Sequence, residues 1–195
     1  MNPTEPKLSA VVVAYDFSPA ARAVLDRAVA LATRAPFHVL HFITVIDPHK
    51  GAAVEPHHGK VDIDYADRVR DIMTKELGKV LAESPSAPEL HFFAHARIGK
   101  PAEEILELAE ELGADLILIG THGHTGLSRL VMGSVAERVV REAGCPVLVA
   151  RPKRYADVEL VNVHEVARTA PTHSYAGFSY TNNNVVMRPP DWPIH

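Results

Sequence analysis

Cysteine occurs once in this chain, at Cys145, and tryptophan once, at Trp192. A single thiol has no intrachain partner, so a disulfide framework is excluded. Standing just before an apolar stretch, it reads as a small core side chain in a reducing compartment. No uninterrupted apolar run approaches the roughly 18 residues of a membrane span. The first residues, Met1-Asn2-Pro3-Thr4-Glu5-Pro6, are polar and broken by proline. Neither a signal segment nor a membrane anchor is therefore expected, and the expected location is the cytoplasm. An excess of positive charge is also missing: 20 Lys and Arg stand against 24 Asp and Glu, a net charge of −4. That balance argues against a nucleic-acid partner, which a phosphate-backbone binder would meet with a basic surface.

What is present fits one α/β domain with an appendage. The 195 residues are 47% hydrophobic, enough for a sizeable core, and short for two full domains. Apolar, β-branched runs at Leu8 to Tyr15, Phe37 to Ile46, Leu90 to Ala96, Ala114 to Ile119 and Pro146 to Ala150 read as strands. Between them lie helical patterns. The first is Ala20 to Arg34, with Ser18 as N-cap and Pro19 in its first turn. A polar-faced helix covers Ile63 to Glu83, and a third runs from Gly99-Lys100-Pro101 to Leu112 with Gly113 at its end. The fourth begins at Ser134, where Ser134 and Glu137 have the spacing of a capping box. Five alternations of strand and helix predict a parallel sheet covered on both faces.

The most informative stretch is Gly120-Thr121-His122-Gly123-His124-Thr125-Gly126-Leu127-Ser128-Arg129-Leu130-Val131-Met132-Gly133-Ser134. A buried-looking strand enters it and a helix leaves it. Glycines let backbone N–H groups come close to a ligand, and a helix N-terminus adds unpaired donors and partial positive charge. Together they make an anion site suited to a nucleotide phosphate. The spacing is neither that of a Walker loop, G-x-x-x-x-G-K-[ST], nor that of the tight Rossmann G-x-G-x-x-G. It is Gly120-x2-Gly123-x9-Gly133-Ser134, flanked by ILIGTHG and GSVAERVVREAGCPVLVARP.

That pattern with both flanks resembles the universal stress protein family, in its ATP-binding branch with the G-x2-G-x9-G-[ST] motif, over residues 8 to about 154. The resemblance implies an open five-stranded parallel sheet of order 3-2-1-4-5, with helices on both faces, of the adenine nucleotide alpha hydrolase-like or Rossmann-like kind. It implies a nucleotide-binding domain over 1–154 and a C-terminal extension over 155–195. It further implies ATP (or ADP or AMP), with Mg²⁺ or Mn²⁺ bridging the phosphates, and a homodimer formed through the fifth strand. Gly120 and Gly123 match the first two glycines of the family's ATP loop. His124 stands where relatives often carry a basic residue. A histidine there lacks a permanent charge, so phosphate affinity is expected to fall as pH rises. Ala14 and Val45 match positions lining the adenine pocket, and Asp16 matches an aspartate that accepts from the ribose or the adenine amine.

Each of these residues also has a plainer reading. Gly120 and Gly123 can be ordinary turn glycines, and Ala14 and Val45 simply strand residues. Asp16 can serve the dipole of the helix that Ser18 caps. Ser134 can spend its hydroxyl on the cap, although its N–H, with that of Val135, stays available to a phosphate. The position of Asp16 and Gly120 to Ser134 at strand carboxyl ends, where crossovers diverge, favours ligand contact.

The 12 histidines suggest no preformed metal site. His57 and His58 are adjacent in a loop, without the helical i, i+4 arrangement of zinc ligands. His91 and His95 share a strand face with Phe93 and read as core-edge histidines, so no metal ligand from protein side chains is assigned. His122-Gly123-His124 has the form of the nucleotidyl-transferase H-x-G-H, but here it follows the fourth strand instead of the first. An ATP-hydrolysing or adenylyl-transferring enzyme is the alternative function, with Arg129 a weak candidate for charge stabilisation and no general base evident. Beyond Arg154, alternation over Val158 to Glu165 suggests an edge strand or hairpin arm. Asn182-Asn183-Asn184 and Pro189-Pro190 signal turns, and Tyr175, Phe178, Tyr180 and Trp192 are apolar anchors for docking, within the chain or across a dimer.

Overall fold

The computed structural model describes residues 9–34, 38–52, 54–55, 60–82, 90, 92–121, 132–151, 178–181 and 184–187. The chain divides into two compact units, Met1–Pro152 and Lys153–His195. In the first, the elements run β1 (Ser9–Ala14), α1 (Ala21–Arg34), β2 (His38–Ile46), α2 (Ile63–Ala82), β3 (Phe92–Ile98), α3 (Pro101–Leu112), β4 (Leu116–Gly120), α4 (Ser134–Glu142) and β5 (Val147–Ala150). The five strands form one parallel sheet of order β3-β2-β1-β4-β5. This is the expected open α/β architecture. The chain winds outward from β1 in one direction and then returns to wind in the other, so the reversal falls between β1 and β4.

Alternation within each strand assigns the two faces. Val11 and Val13 of β1, with Leu40, Phe42 and Leu118, pack beneath Val24, Leu25 and Ala28 of α1 and Met73 and Leu77 of α2. Val12, Ile43, Ile117 and Ile119 point the other way, beneath Ile105 and Leu108 of α3 and Ala136 and Val139 of α4. Most of these side chains are wholly buried. Each fully buried Val, Leu or Ile contributes about 1.5–3 kcal/mol relative to exposure.

The helix ends follow from local chemistry. Ser18 Oγ accepts the Ala21 N–H at 3.3 Å, so the expected cap is made, with the regular helix opening at Ala21. Pro101 opens α3 as its first residue, where its missing N–H costs nothing. Gly113 closes it at φ 57°, ψ 47°, a left-handed position that glycine adopts without Cβ strain.

The third strand lies two residues later than the sequence suggests, running to Ile98. Its register is dictated by β2: Leu40 pairs with Phe92 and Ile46 with Ile98, so the length of β2 sets the end of β3. Cys145 is half-buried beside the α3–α4 cluster, and burial pushes its thiol above the ordinary value, as expected of a packing residue.

The second unit contains an antiparallel pair, β6 (Phe178–Thr181) and β7 (Asn184–Met187), with Thr181 opposite Asn184. That register agrees with the turn signal at the asparagines. The possible arm at Val158 to Glu165, with Tyr175, Pro189-Pro190 and Trp192, lies outside the described residues. No helix among the described residues is long and apolar enough to cross a membrane.

Candidate functional site

At the carboxyl ends of β1 and β4, where the winding reverses, the fold leaves a cleft of about 360 Å³. Open parallel sheets leave such crevices because the loops from adjacent strands depart to opposite faces. Its volume is in the range of small-molecule sites. Ala14, Ile43, Val45, Ile105 and Ile119 provide an apolar wall; Asp16, Gly120, Thr121, Gly133, Ser134 and Val135 provide the polar end.

Seven of the nine residues singled out in the sequence thus surround one space: Ala14, Asp16, Val45, Gly120, Gly133, Ser134 and Val135. Gly123 and His124 lie outside the described residues, as do His122 and Arg129. Pro101, Ile105 and Ile119 were not foreseen as lining. Their only signal was apolar periodicity, which marks core and pocket wall alike.

The loop after β1 has an unusual backbone. Phe17 adopts φ 62°, uncommon for a residue with a Cβ and costing about 1 kcal/mol or more. The strain sits between Asp16 and Ser18 and is held by local contacts. Asp16 Oδ1 accepts the Ser18 N–H at 3.0 Å. The Phe17 ring meets Tyr15 edge-on, with centroids 5.2 Å apart. The Tyr15 N–H donates to the Ile43 carbonyl at 2.9 Å, pinning the exit of β1 against β2. The plainer reading of Asp16 therefore describes part of what it does: one oxygen shapes the turn into the helix while the residue borders the cleft.

Tyr15 borders the cleft as well, and its hydroxyl donates to Glu76 Oε1 at 2.8 Å. Burial, followed by the hydrogen bond and charge of Glu76, raises the phenol well above its ordinary pKa. It stays protonated and points at α2. Among the described lining residues Asp16 is the carboxylate, and no general base with an orienting partner accompanies it.

At the other end of the cleft, the Gly133 N–H donates to the Thr121 carbonyl at 2.8 Å, and the Thr121 N–H to Ala150 at 3.3 Å. The two ends of the intervening segment are thereby tied to each other and to β5. Helix α4 then starts at Ser134 with Gly133 as its N-cap, at φ −61°, ψ 147°, and without a side-chain cap. This corrects the expected capping box. Gly133, drawn toward Thr121, takes the cap position, so Ser134 is already the first helical residue. Glu137 pairs instead with Arg141 at 3.6 Å. The first bond of the α4 ladder is Glu137 N–H to Gly133, at 2.9 Å. The N–H groups of Ser134, Val135 and Ala136 therefore have no partner within the helix, and they stand at its positive end beside the cleft. Gly133 itself spends its N–H inside the loop; its value to a ligand is close approach.

An open, doubly wound α/β domain with a crevice between an apolar wall, a carboxylate and a helix N-terminus belongs to the nucleotide-binding class of folds. A model of the universal stress protein family matches residues 8–151. Universal stress protein YxiE of Bacillus subtilis is 33% identical over 150 residues, covering 72% of this chain and 97% of YxiE. Universal stress protein MJ0531 of Methanocaldococcus jannaschii is 60% identical over 57 residues, which span 29% of this chain and only 34% of that protein. Among solved structures, universal stress protein UspA from Lactobacillus plantarum superposes with a TM-score of 0.56 at 27% identity, over 75% of this chain and 100% of that one. A universal stress protein solved in complex with cAMP shares the fold at 23% identity and a TM-score of 0.50, over 75% and 98% of the two chains. The chain belongs to the universal stress protein family.

Proposed function

We propose that this chain binds an adenine nucleotide, ATP or alternatively ADP or AMP, between β1 and β4, and serves as a nucleotide-dependent regulatory module of the stress response. One observation carries the reading: at the crossover of the sheet, an apolar slot, a carboxylate and a helix N-terminus line the same cleft. The base lies against Ala14, Ile43, Val45 and Ile119. Asp16 accepts from a ribose hydroxyl or the adenine amine. The phosphates lie at the start of α4, on the N–H groups of Ser134 and Val135 and the Ser134 hydroxyl. Gly120 and Gly133 keep the approach open, and Gly123 and His124 extend the cradle.

Mg²⁺ or Mn²⁺ would be held mainly by the phosphates. The described lining supplies Asp16 alone as a hard anionic donor, and no group of three His, Cys, Asp or Glu gathers among the described residues. Bound metal would neutralise phosphate charge that the lining itself does not match. Dimerisation through β5, an edge strand of the sheet, is part of the same proposal, as is cytoplasmic location.

The test is to denature freshly purified protein and identify any released nucleotide by mass spectrometry, alongside melting curves with ATP and Mg²⁺. Ligand at a hundred times its dissociation constant stabilises by about 2.7 kcal/mol, an easily read shift. Intact ATP is the expected result. ADP or AMP in its place would favour hydrolysis or adenylyl transfer. Neither release nor a melting shift would overturn the nucleotide assignment.

A further inference from the structure

Away from the cleft, on the α3 side of the sheet, two histidines meet across neighbouring strands. His41 of β2 and His95 of β3 bring Nδ1 and Nε2 to 3.1 Å of each other. His41 is almost wholly buried, and on its outer side Phe93 stacks on it at 4.9 Å and 16° between planes. Neither the nucleotide reading nor a core-packing role needs this pair, since an apolar residue at either position would fill the same space without a polar contact to satisfy.

We propose that His41 and His95 form a binding site for a divalent first-row transition ion of the zinc or copper type, separate from any ion on nucleotide phosphates. The first argument is distance. Imidazole nitrogens bind zinc at about 2.05 Å, so two of them 3.1 Å apart would subtend about 98° at an ion placed between them. That angle lies between the right angle of tetragonal copper or nickel and the tetrahedral angle of zinc. Opening to the tetrahedral value lengthens the separation by only about 0.25 Å.

The second argument is preorganisation. His41 pairs with Phe93 in the β2–β3 ladder, and Ile43 with His95, so both histidines are set by one backbone register. Phe93 then restricts rotation of the His41 ring. The third is proton balance. As a hydrogen-bonded pair, one ring presents an N–H and the other a lone pair. An ion needs two lone pairs, which arise when the donor ring shifts its proton to its other nitrogen; no proton has to leave the site. Glu111 on α3 supplies nearby negative charge, shared with the Arg97 guanidinium that binds it.

The absence of a third protein donor at coordination distance among the described residues defines the kind of site. Water completes the shell, so the ion exchanges freely and is not a folding element, unlike closed four-ligand zinc.

The test uses the metal-stripped full chain and Zn²⁺ alone, read by nitrogen-15 NMR of the imidazole rings. His41→Gln and His95→Gln assign the signals. The expected result is that Zn²⁺ moves the His41 Nδ1 and His95 Nε2 signals together, saturating with one ion, and that His95→Gln weakens this event at least tenfold. Because the reading is made on the unmodified chain, a variant that fails to fold does not affect it. If Zn²⁺ shifts only other histidines and leaves the His41 and His95 signals in place, the proposal is overturned.

Discussion

Replacing Ser134 by proline isolates the helix terminus as a ligand site. Proline has no N–H, and at the first helical position none is used by the helix, so α4 should form as before. The preceding residue must be extended, and Gly133 already is, at φ −61°, ψ 147°. The variant therefore removes one backbone donor and one hydroxyl from the cleft with little effect on the fold. A hydrogen bond to a charged group contributes about 1.5–3 kcal/mol, which at 1.4 kcal/mol per decade is a loss of about ten- to 150-fold in affinity for ATP with Mg²⁺. Ser134→Ala keeps the N–H and should lose less, within about tenfold. Isothermal titration calorimetry gives the affinities, and melting without nucleotide should place both variants near the parent. Ser134→Pro binding ATP within twofold of the parent would refute the placement of phosphate on α4. A collapse of its melting temperature would refute the reading of Ser134 as the first helical residue.

Three further outcomes are expected. Asp16→Asn retains an acceptor for the Ser18 N–H but loses the charge, and should weaken ATP by about tenfold in the same titration while leaving stability unchanged. Leu118→Ala, in a fully buried position on the central strand β4, should cost about 2–5 kcal/mol in urea unfolding, with nucleotide affinity of the folded fraction retained. The raised pKa of Tyr15 means that folding favours the protonated phenol. Its contribution is complete below the unfolded value near 10 and is lost as pH rises above it, towards the raised folded value. Tyr15→Phe should therefore flatten the alkaline limb of a stability-versus-pH curve; an unchanged limb would show that Glu76 and burial do not hold that proton.

Much of the architecture was legible in the sequence, because apolar strands alternating with amphipathic helices leave few arrangements. The glycine stretch added the place of the site. Where the reading was corrected, the reason was a competing local contact: the Ser134–Glu137 spacing has the form of a capping box, yet the Gly133 N–H bonds to Thr121 and moves the cap back one residue. The positive φ of Phe17 had no signal, since neither its type nor its neighbours favour that conformation.

The sequence by itself determined which residues form strands and helices, and that a glycine-flanked helix start follows the fourth strand. These are properties of neighbours along the chain, expressed through periodicity and capping. Only the tertiary structure decided that Asp16 and Val45 share a cleft with Ser134, and that His41 faces His95 from 54 residues away. Both depend on the order and register of parallel strands. Those are set by the joint packing of four helices on two faces of one sheet, which no single segment encodes.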